Sequence, residues 1–352
     1  MSDTKPIILS GIRPTGRLHY GNYFGAVRHF LRMQEEQARC YYFVADYHAL
    51  TTIEERRPIW DQTVHMLRTY VACGLDPVQS VIYRQSDLPC TAELTLLLGM
   101  ITNIGHLERG TTYKDKFAKI QADPKQEGNP LSYGLLGYPV LMAADILIVQ
   151  ADVVPVGDDQ RQHVEMACDI ATKFNSRFGE TLKVPKPVGR EALRLPGLDG
   201  SVKMGKSDNN TIDLLDDEKT VLKKIKSVPT TTDPEPLDTD SKDPEVVLPK
   251  LPAGLSLLYR LLTLLAPEEV YLDYLEQYRA QGKFYGNLKK DVAKYVSEFN
   301  APIIERFESP DNTEDTVKDF LRDNAARVTP LALETVEACR EAIGIGRSLY
   351  RG

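Results

Sequence analysis

The stretch from Pro6 to Phe30, PIILSGIRPTGRLHYGNYFGAVRHF, leaves the chain few folds to choose from. Ile7 to Leu9 make an apolar run of strand type. Ser10-Gly11 and Arg13-Pro14-Thr15-Gly16 then turn the chain, and His19-Tyr20-Gly21-Asn22 stands at the mouth of a long helix. A strand feeding a helix through a glycine-rich turn offers backbone N–H groups and the positive end of the helix dipole to an anion. Glycines at 11, 16, 21 and 25 let a ligand lie close to bare backbone. The spacing is neither GxGxxG nor GxxxxGK[ST], so neither the dinucleotide nor the P-loop reading fits.

The same alternation of strand and helix continues downstream. Tyr41 to Asp46 reads as a second strand, Ile53 to Cys73 as a helix ended by Gly74, and Ser80 to Tyr83 as a third strand. Strand, helix and strand at this spacing predict a parallel sheet with right-handed crossovers. Such sheets bind ligands at the carboxyl ends of their strands, which gathers the loops after Leu9, Asp46 and Arg84 around one crevice. Helices are expected over Thr91 to Ile104 and from Leu131 to about Gln150. Polar residues dominate between them, from Glu108 to Asn129. Val153 to Val156 is a short strand, and Gly157-Asp158-Asp159-Gln160 opens a helix to about Phe178. Prolines at 185, 187 and 196 mark loop with short extended pieces, and the acidic, proline-broken run from Asp233 to Glu245 is a solvated connector. Beyond Gly254 the pattern is helical, near 254–265, 268–280, 286–308, 312–326 and 331–343. The expected architecture is α/β, a Rossmann-like parallel sheet in residues 1–222, followed by an all-α region in 223–352.

Composition narrows the class without naming a ligand. With 352 residues, 42% hydrophobic and 26% charged, the chain can bury a sizeable core. No apolar run reaches membrane-spanning length, and MSDTKP carries neither a signal peptide's apolar core nor a transit peptide's Arg/Ser richness. A cytoplasmic protein is expected. The net charge of −7 argues against wholesale coating of nucleic acid but allows a local basic path. The five cysteines form no CxxC and the six histidines no HxxxH pair, so neither a structural metal nor an iron–sulfur cluster is expected.

Three further segments carry chemistry. Lys203-Met204-Gly205-Lys206-Ser207 puts two ammonium groups three residues apart on a glycine-containing loop. Such a loop can close over a triphosphate and stabilise a pyrophosphate leaving group; alone, it also reads as ordinary surface. Asp158 and Asp159, at a strand-to-helix turn, suit ribose hydroxyls or a plain helix cap. Tyr138, Met142 and Asp145 share one helix face, and Asp145 sits in LMAADILIV, where a buried carboxylate needs a partner. That partner is either a ligand or a neighbouring donor in a packing role.

Together these segments resemble a known family. The order PTG-x-L-H-x-G-N is similar to the HIGH signature of class I aminoacyl-tRNA synthetases, and Lys203 to Ser207 resembles their KMSKS loop, with Gly205 in place of serine. Tyr138 to Leu147, with Val154 to Gln160, resembles the amino-acid pocket of bacterial tryptophanyl-tRNA synthetases, over nearly the whole chain. The resemblance implies activation of tryptophan by ATP, with Mg²⁺, to tryptophanyl-adenylate and transfer to tRNA(Trp) by a homodimer whose helical half reads the anticodon. It implies roles in catalysis for His19, Asn22, Lys116, Lys203 and Lys206. ATP would be bound by Arg13, Thr15, Gly21, Asn22, Gly157, Asp159, Lys203, Met204, Lys206 and Ser207. Tryptophan would be held by Gly11, His48, Tyr138, Met142, Val154, Val156 and Gln160, with Asp145 accepting the indole N–H. Arg13 departs from the glutamine common in the family and brings a fixed charge to that corner. Rival readings are the tyrosyl counterpart, a smaller nucleotidyltransferase, and a synthetase-like regulator without catalysis.

Overall fold

The computed structural model describes residues 5–349 except 15, 37, 52–57, 112, 115–116, 119–131, 190–192, 194, 202, 206–207, 231–235 and 283, and of Asp158 and Asp159 the backbone alone. Five strands, β1 (Ile7–Ile12), β2 (Arg39–Val44), β3 (Val81–Arg84), β4 (Val153–Val156) and β5 (Lys186–Gly189), form one sheet in the order β3-β2-β1-β4-β5. Every pairing is parallel. The strands alternate between two buried faces, as period-2 side chains must. Cys40, Tyr42, Val44 and Ile82 enter one apolar cluster, and Tyr41, Phe43, Val81 and Tyr83 the other.

Helices cover both faces. In chain order they are α1 (Tyr20–Asn22), α2 (Arg28–Glu35), α3 (Asp46–Ala49), α4 (Ile59–Cys73), α5 (Cys90–Ile101), α6 (Ile104–Leu107), α7 (Tyr133–Ile148) and α8 (Asp158–Phe178). There follow α9 (Glu218–Ser227), α10 (Pro244–Val247), α11 (Ala253–Leu265), α12 (Glu268–Arg279), α13 (Tyr285–Glu308) and α14 (Glu314–Ile343). A π-helical turn, Tyr23–Val27, joins α1 to α2. Gly74 ends α4 in the left-handed conformation (φ 111°), its N–H bonded back into the last turn. The start expected for α4, near Ile53, lies outside the described residues.

Several expected elements differ from those observed. The second strand stops at Val44, and Asp46 begins α3. The helix expected through Ile104 breaks after Ile101, and α6 starts afresh at Ile104. Lys186–Gly189, read as loop because of Pro185 and Pro187, is the edge strand of the sheet. An edge tolerates proline because its outer side needs no N–H donor. Most consequentially, the helices expected at 312–326 and 331–343 are one helix running through Pro330. An interior proline costs a helix about 3 kcal/mol. Here Val317 and Leu321 are anchored in one apolar cluster, and Val328, Ala332, Val336 and Cys339 in the other, which holds both arms in line.

The boundary expected between 222 and 223 falls inside α9. One apolar cluster runs from Ile12 through α11, α12 and α13 to Leu321, so the helical half is packed onto the sheet half.

Candidate active site

The sheet reverses its winding between β1 and β4, and there the two strands part. Their pairing is limited to Ile8 opposite Val153, and Pro155 has no N–H to offer further along. The parting opens a cavity of about 530 Å³ at the carboxyl ends of the strands, where open parallel sheets place their ligands. Gly11 and Arg13 line it from the end of β1, Asn22 from α1, and His48 from α3. Tyr138 and Met142 line it from α7, Val154, Val156 and Gly157 from β4 and the following turn, and Gln160 from the first turn of α8. Gly11 is packed so closely on Phe43 that a Cβ would lie 2.9 Å from the ring.

Asp145 stands behind this wall. It is 3% exposed and is absent from the cavity lining. Gln85 Nε2 donates to both of its oxygens (2.8 and 2.9 Å), and His48 Nε2 lies 3.0 Å from Oδ2. A carboxylate only accepts, so His48 presents its Nε2–H there. Burial pushes the Asp145 carboxyl above its ordinary range, against the hydrogen bonds from His48 and Gln85. Gln85 is itself fixed: its Oε1 accepts from the N–H groups of Tyr47 (3.1 Å) and His48 (3.3 Å).

A second polar chain fixes the opposite wall. The Tyr138 hydroxyl lies 2.6 Å from His163 Nε2, and His163 Nδ1 lies 3.2 Å from Gln160 Oε1. Since Gln160 Oε1 can only accept, His163 donates from Nδ1, and in the neutral ring its Nε2 then accepts the Tyr138 hydrogen. The Tyr138 oxygen is thereby turned into an acceptor, the role an ammonium group requires.

The glycine-rich turn and the lysine loop meet at the other end. His19 is 7% exposed and caps α1, its N–H donating to Asn22 Oδ1 at 3.2 Å. Gly21 lies directly against the His19 imidazole: a Cβ there would be 2.9 Å from Cε1 and 3.7 Å from the Met204 Cβ. The segment after the loop runs beside the turn, with Tyr20 N–H donating to Ile212 O (2.9 Å) and Leu214 N–H to Leu18 O (3.0 Å). Lys203 is exposed and Met204 buried. Thr15, Lys116, Lys206 and Ser207 lie outside the described residues, and Asp159 is placed by its backbone in the first turn of α8.

Sequence reading overlooked Gln85, His163 and Asn210. Gln85 follows β3 at the carboxyl end of a strand, and His163 lies three residues after Gln160 on one helix face, so both carried a positional signal. Asn210, whose amide binds the lysine loop, carried none.

Known proteins are similar to this chain in sequence and fold. The family described as class I tRNA synthetases (W and Y) matches residues 1–301. The chain is similar to the Tryptophan--tRNA ligase of Porphyromonas gingivalis, 42% identical over 345 residues, spanning 96% of this chain and 98% of the relative. The Tryptophan--tRNA ligase of Fusobacterium nucleatum is 39% identical over 344 residues, spanning 97% and 99%. The tryptophanyl-tRNA synthetase of Campylobacter jejuni, solved with ADP and tryptophan, superposes with a TM-score of 0.79 at 34% identity, over 96% of this chain and 99% of that one.

Proposed function

The chain belongs to the class I tRNA synthetases of the tryptophan and tyrosine family, and from that premise we infer that it is a tryptophan–tRNA ligase. The observation that carries the choice of tryptophan is full-length identity of about 40% to relatives bearing that name.

In the first reaction an oxygen of the tryptophan carboxylate attacks the α-phosphorus of ATP. The bond to the bridging oxygen breaks, and pyrophosphate leaves with the electron pair. In the second, a ribose hydroxyl of the terminal adenosine of tRNA attacks the acyl carbon and AMP departs. Neither step needs a side-chain nucleophile; orientation and charge stabilisation carry the rate.

We assign the side chains as follows. Tyr138, with its hydrogen given to His163, and Gln160 accept from the substrate ammonium. Gly11, His48, Met142, Val154 and Val156 frame the ring, and the carboxylate of Asp145, held behind it by His48 and Gln85, is assigned the indole N–H through its remaining acceptor capacity. His19, Asn22 and the backbone at Gly21 face the phosphates, and Arg13 and, by its position in the sequence, Thr15 are assigned to the same ligand. Asp159 and Gly157 take the ribose, and Lys116, Lys203, Lys206 and Ser207 with Met204 form the phosphate-closing side. Among the described residues no group of three or more His, Cys, Asp or Glu is disposed to hold a metal, so a magnesium ion would arrive on the ATP phosphates.

The partners follow from the same reading. Residues 223–352 would read the anticodon of tRNA(Trp). Exposed Leu96 and Met100, four apart on α5, and exposed Ile104 at the start of α6 offer apolar surface suited to a second copy of the chain. No helix among the described residues is long and apolar enough to cross a membrane, and work in the cytoplasm, beside translation, suits the activity. Tryptophan-dependent exchange of pyrophosphate into ATP, run beside tyrosine, tests the function. Exchange with tryptophan alone is expected; exchange with tyrosine alone would move the chain to the other branch of the family.

A further inference from the structure

The backbone of the lysine loop, whose Met204 N–H also donates to Leu195 O at 3.0 Å, is gathered on both sides of Met204 by one buried amide. Asn210 is 2% exposed. Its Oδ1 accepts the Gly205 N–H at 2.7 Å. Its Nδ2 donates to Ser201 Oγ (2.8 Å), Asp199 Oδ1 (3.0 Å) and, more weakly, to Lys203 O (3.4 Å). Ser201 Oγ donates to the same Lys203 carbonyl at 3.2 Å. The backbone on either side of Met204 is therefore tied to a single side chain. Gly197 closes the cluster from above: a Cβ there would lie 2.3 Å from Asn210 Nδ2 and 2.4 Å from both Asp199 Oδ1 and Ser201 Oγ.

The same residue sits on the strip that reaches the other phosphate-facing element. Two residues on, Ile212 O accepts from Tyr20 N–H, and Asp213 bridges to His19. Met204, held between the two Asn210 contacts, packs beside Gly21 and thus beside the His19 ring.

We propose that Asn210 is a positioning residue for ATP: its amide latches the loop bearing Lys203 and Lys206 in register with the His19 turn. The proposal rests on the ligase reading for the identity of the ligand. The latch itself rests on the four amide contacts. A loop held in this way arrives at the triphosphate with little conformational freedom left to lose, and a released loop must be ordered at each binding event. Asn210 touches no part of the tryptophan cavity, so the effect is confined to the nucleotide.

The test uses the full chain and two variants, Asn210→Ala and Gly197→Ala. The second forces a methyl group into the cluster while leaving Asn210 in the sequence. Three quantities are read: the rate of trypsin nicking after Lys203 and Lys206, the KM for ATP in exchange, and the Kd for tryptophan by calorimetry. Faster nicking, an ATP KM raised about five- to thirty-fold and a tryptophan Kd within about two-fold of wild type are expected in both variants. Wild-type nicking, an unchanged ATP KM, or a tryptophan Kd that rises in step with the ATP KM would overturn the latch. Absence of exchange in the wild-type chain would instead overturn the ligase reading, and nicking alone would then judge the latch.

Discussion

His48 Nε2 and Asp145 Oδ2 lie 3.0 Å apart although 97 positions separate the two residues along the chain, and both side chains are almost closed to water. His48 faces the cavity and Asp145 does not. The carboxylate therefore governs how the imidazole is presented to the ligand, together with Gln85, which it also holds.

Replacing Asp145 with alanine strands the donors of His48 and Gln85 at a buried site. The loss of a charged acceptor is worth about 1.5–3 kcal/mol, or roughly ten- to over a hundred-fold in kcat/KM for tryptophan. We expect Asp145→Ala to lose that much, to keep the ATP KM, and to gain little activity with tyrosine. Steady-state exchange with both amino acids on one folded preparation decides it. A lowered melting temperature with unchanged tryptophan kinetics would assign Asp145 to packing alone.

Tyr138→Phe removes the hydroxyl that gives its hydrogen to His163 and leaves its oxygen as an acceptor. The expected result is a tryptophan KM raised by about five- to thirty-fold with kcat little changed, because an ammonium contact persists from ground state to transition state. A drop confined to kcat would show that Tyr138 acts on the reacting centre instead.

Gly21→Ala places a methyl group 2.9 Å from His19 Cε1. The ring must rotate or α1 must shift, at a cost of about 1–3 kcal/mol. Exchange should slow markedly while tryptophan binding, measured by calorimetry, holds. Wild-type exchange in this variant would mean that His19 has no fixed position to lose.

Burial pushes the Cys73 thiol up to about 12, with Arg306 acting weakly the other way, and burial alone does the same for Cys339. Both thiols hold their proton more tightly in the folded chain than in the unfolded one. Their contribution to stability is complete below an unfolded pKa of about 9.0 and is lost as pH rises toward 12. The buried Tyr42 and Tyr259 hydroxyls, also raised, act with the same sign. The urea midpoint should therefore fall between pH 8 and pH 10.5. At pH 8 a thiol reagent should reach the half-buried Cys168 first and these two only on unfolding. Rapid labelling of Cys73 or Cys339 in the native state would refute this.

Much of the site is legible in the amino-acid sequence because its signals are local. The strand, glycine turn and helix mouth of Ile7 to Phe30, the end of α4 at Gly74 and the start of α8 after Gly157 depend on residues a few positions apart, whose backbone preferences are strong. The glycine-rich turn and the lysine loop are legible in the same way, from short strings with a known chemistry.

What the sequence could not decide were matters settled by partners far along the chain. Pro330 reads as a helix end, and only burial of α14 in two apolar clusters outweighs that local preference. Lys186–Gly189 becomes a strand because β4 lies beside it, although two prolines argue for loop. Asp145 needed a partner by its own burial, but that the partners are His48 and Gln85 follows from the packing of α7 against α3 and the end of β3. Asn210 gives no sign in the sequence of its task, since an asparagine in a polar loop becomes a latch only when folding closes Gly197 and Gly205 around it. Local propensity wrote the elements and the strings; desolvation at long range chose which polar groups had to find one another.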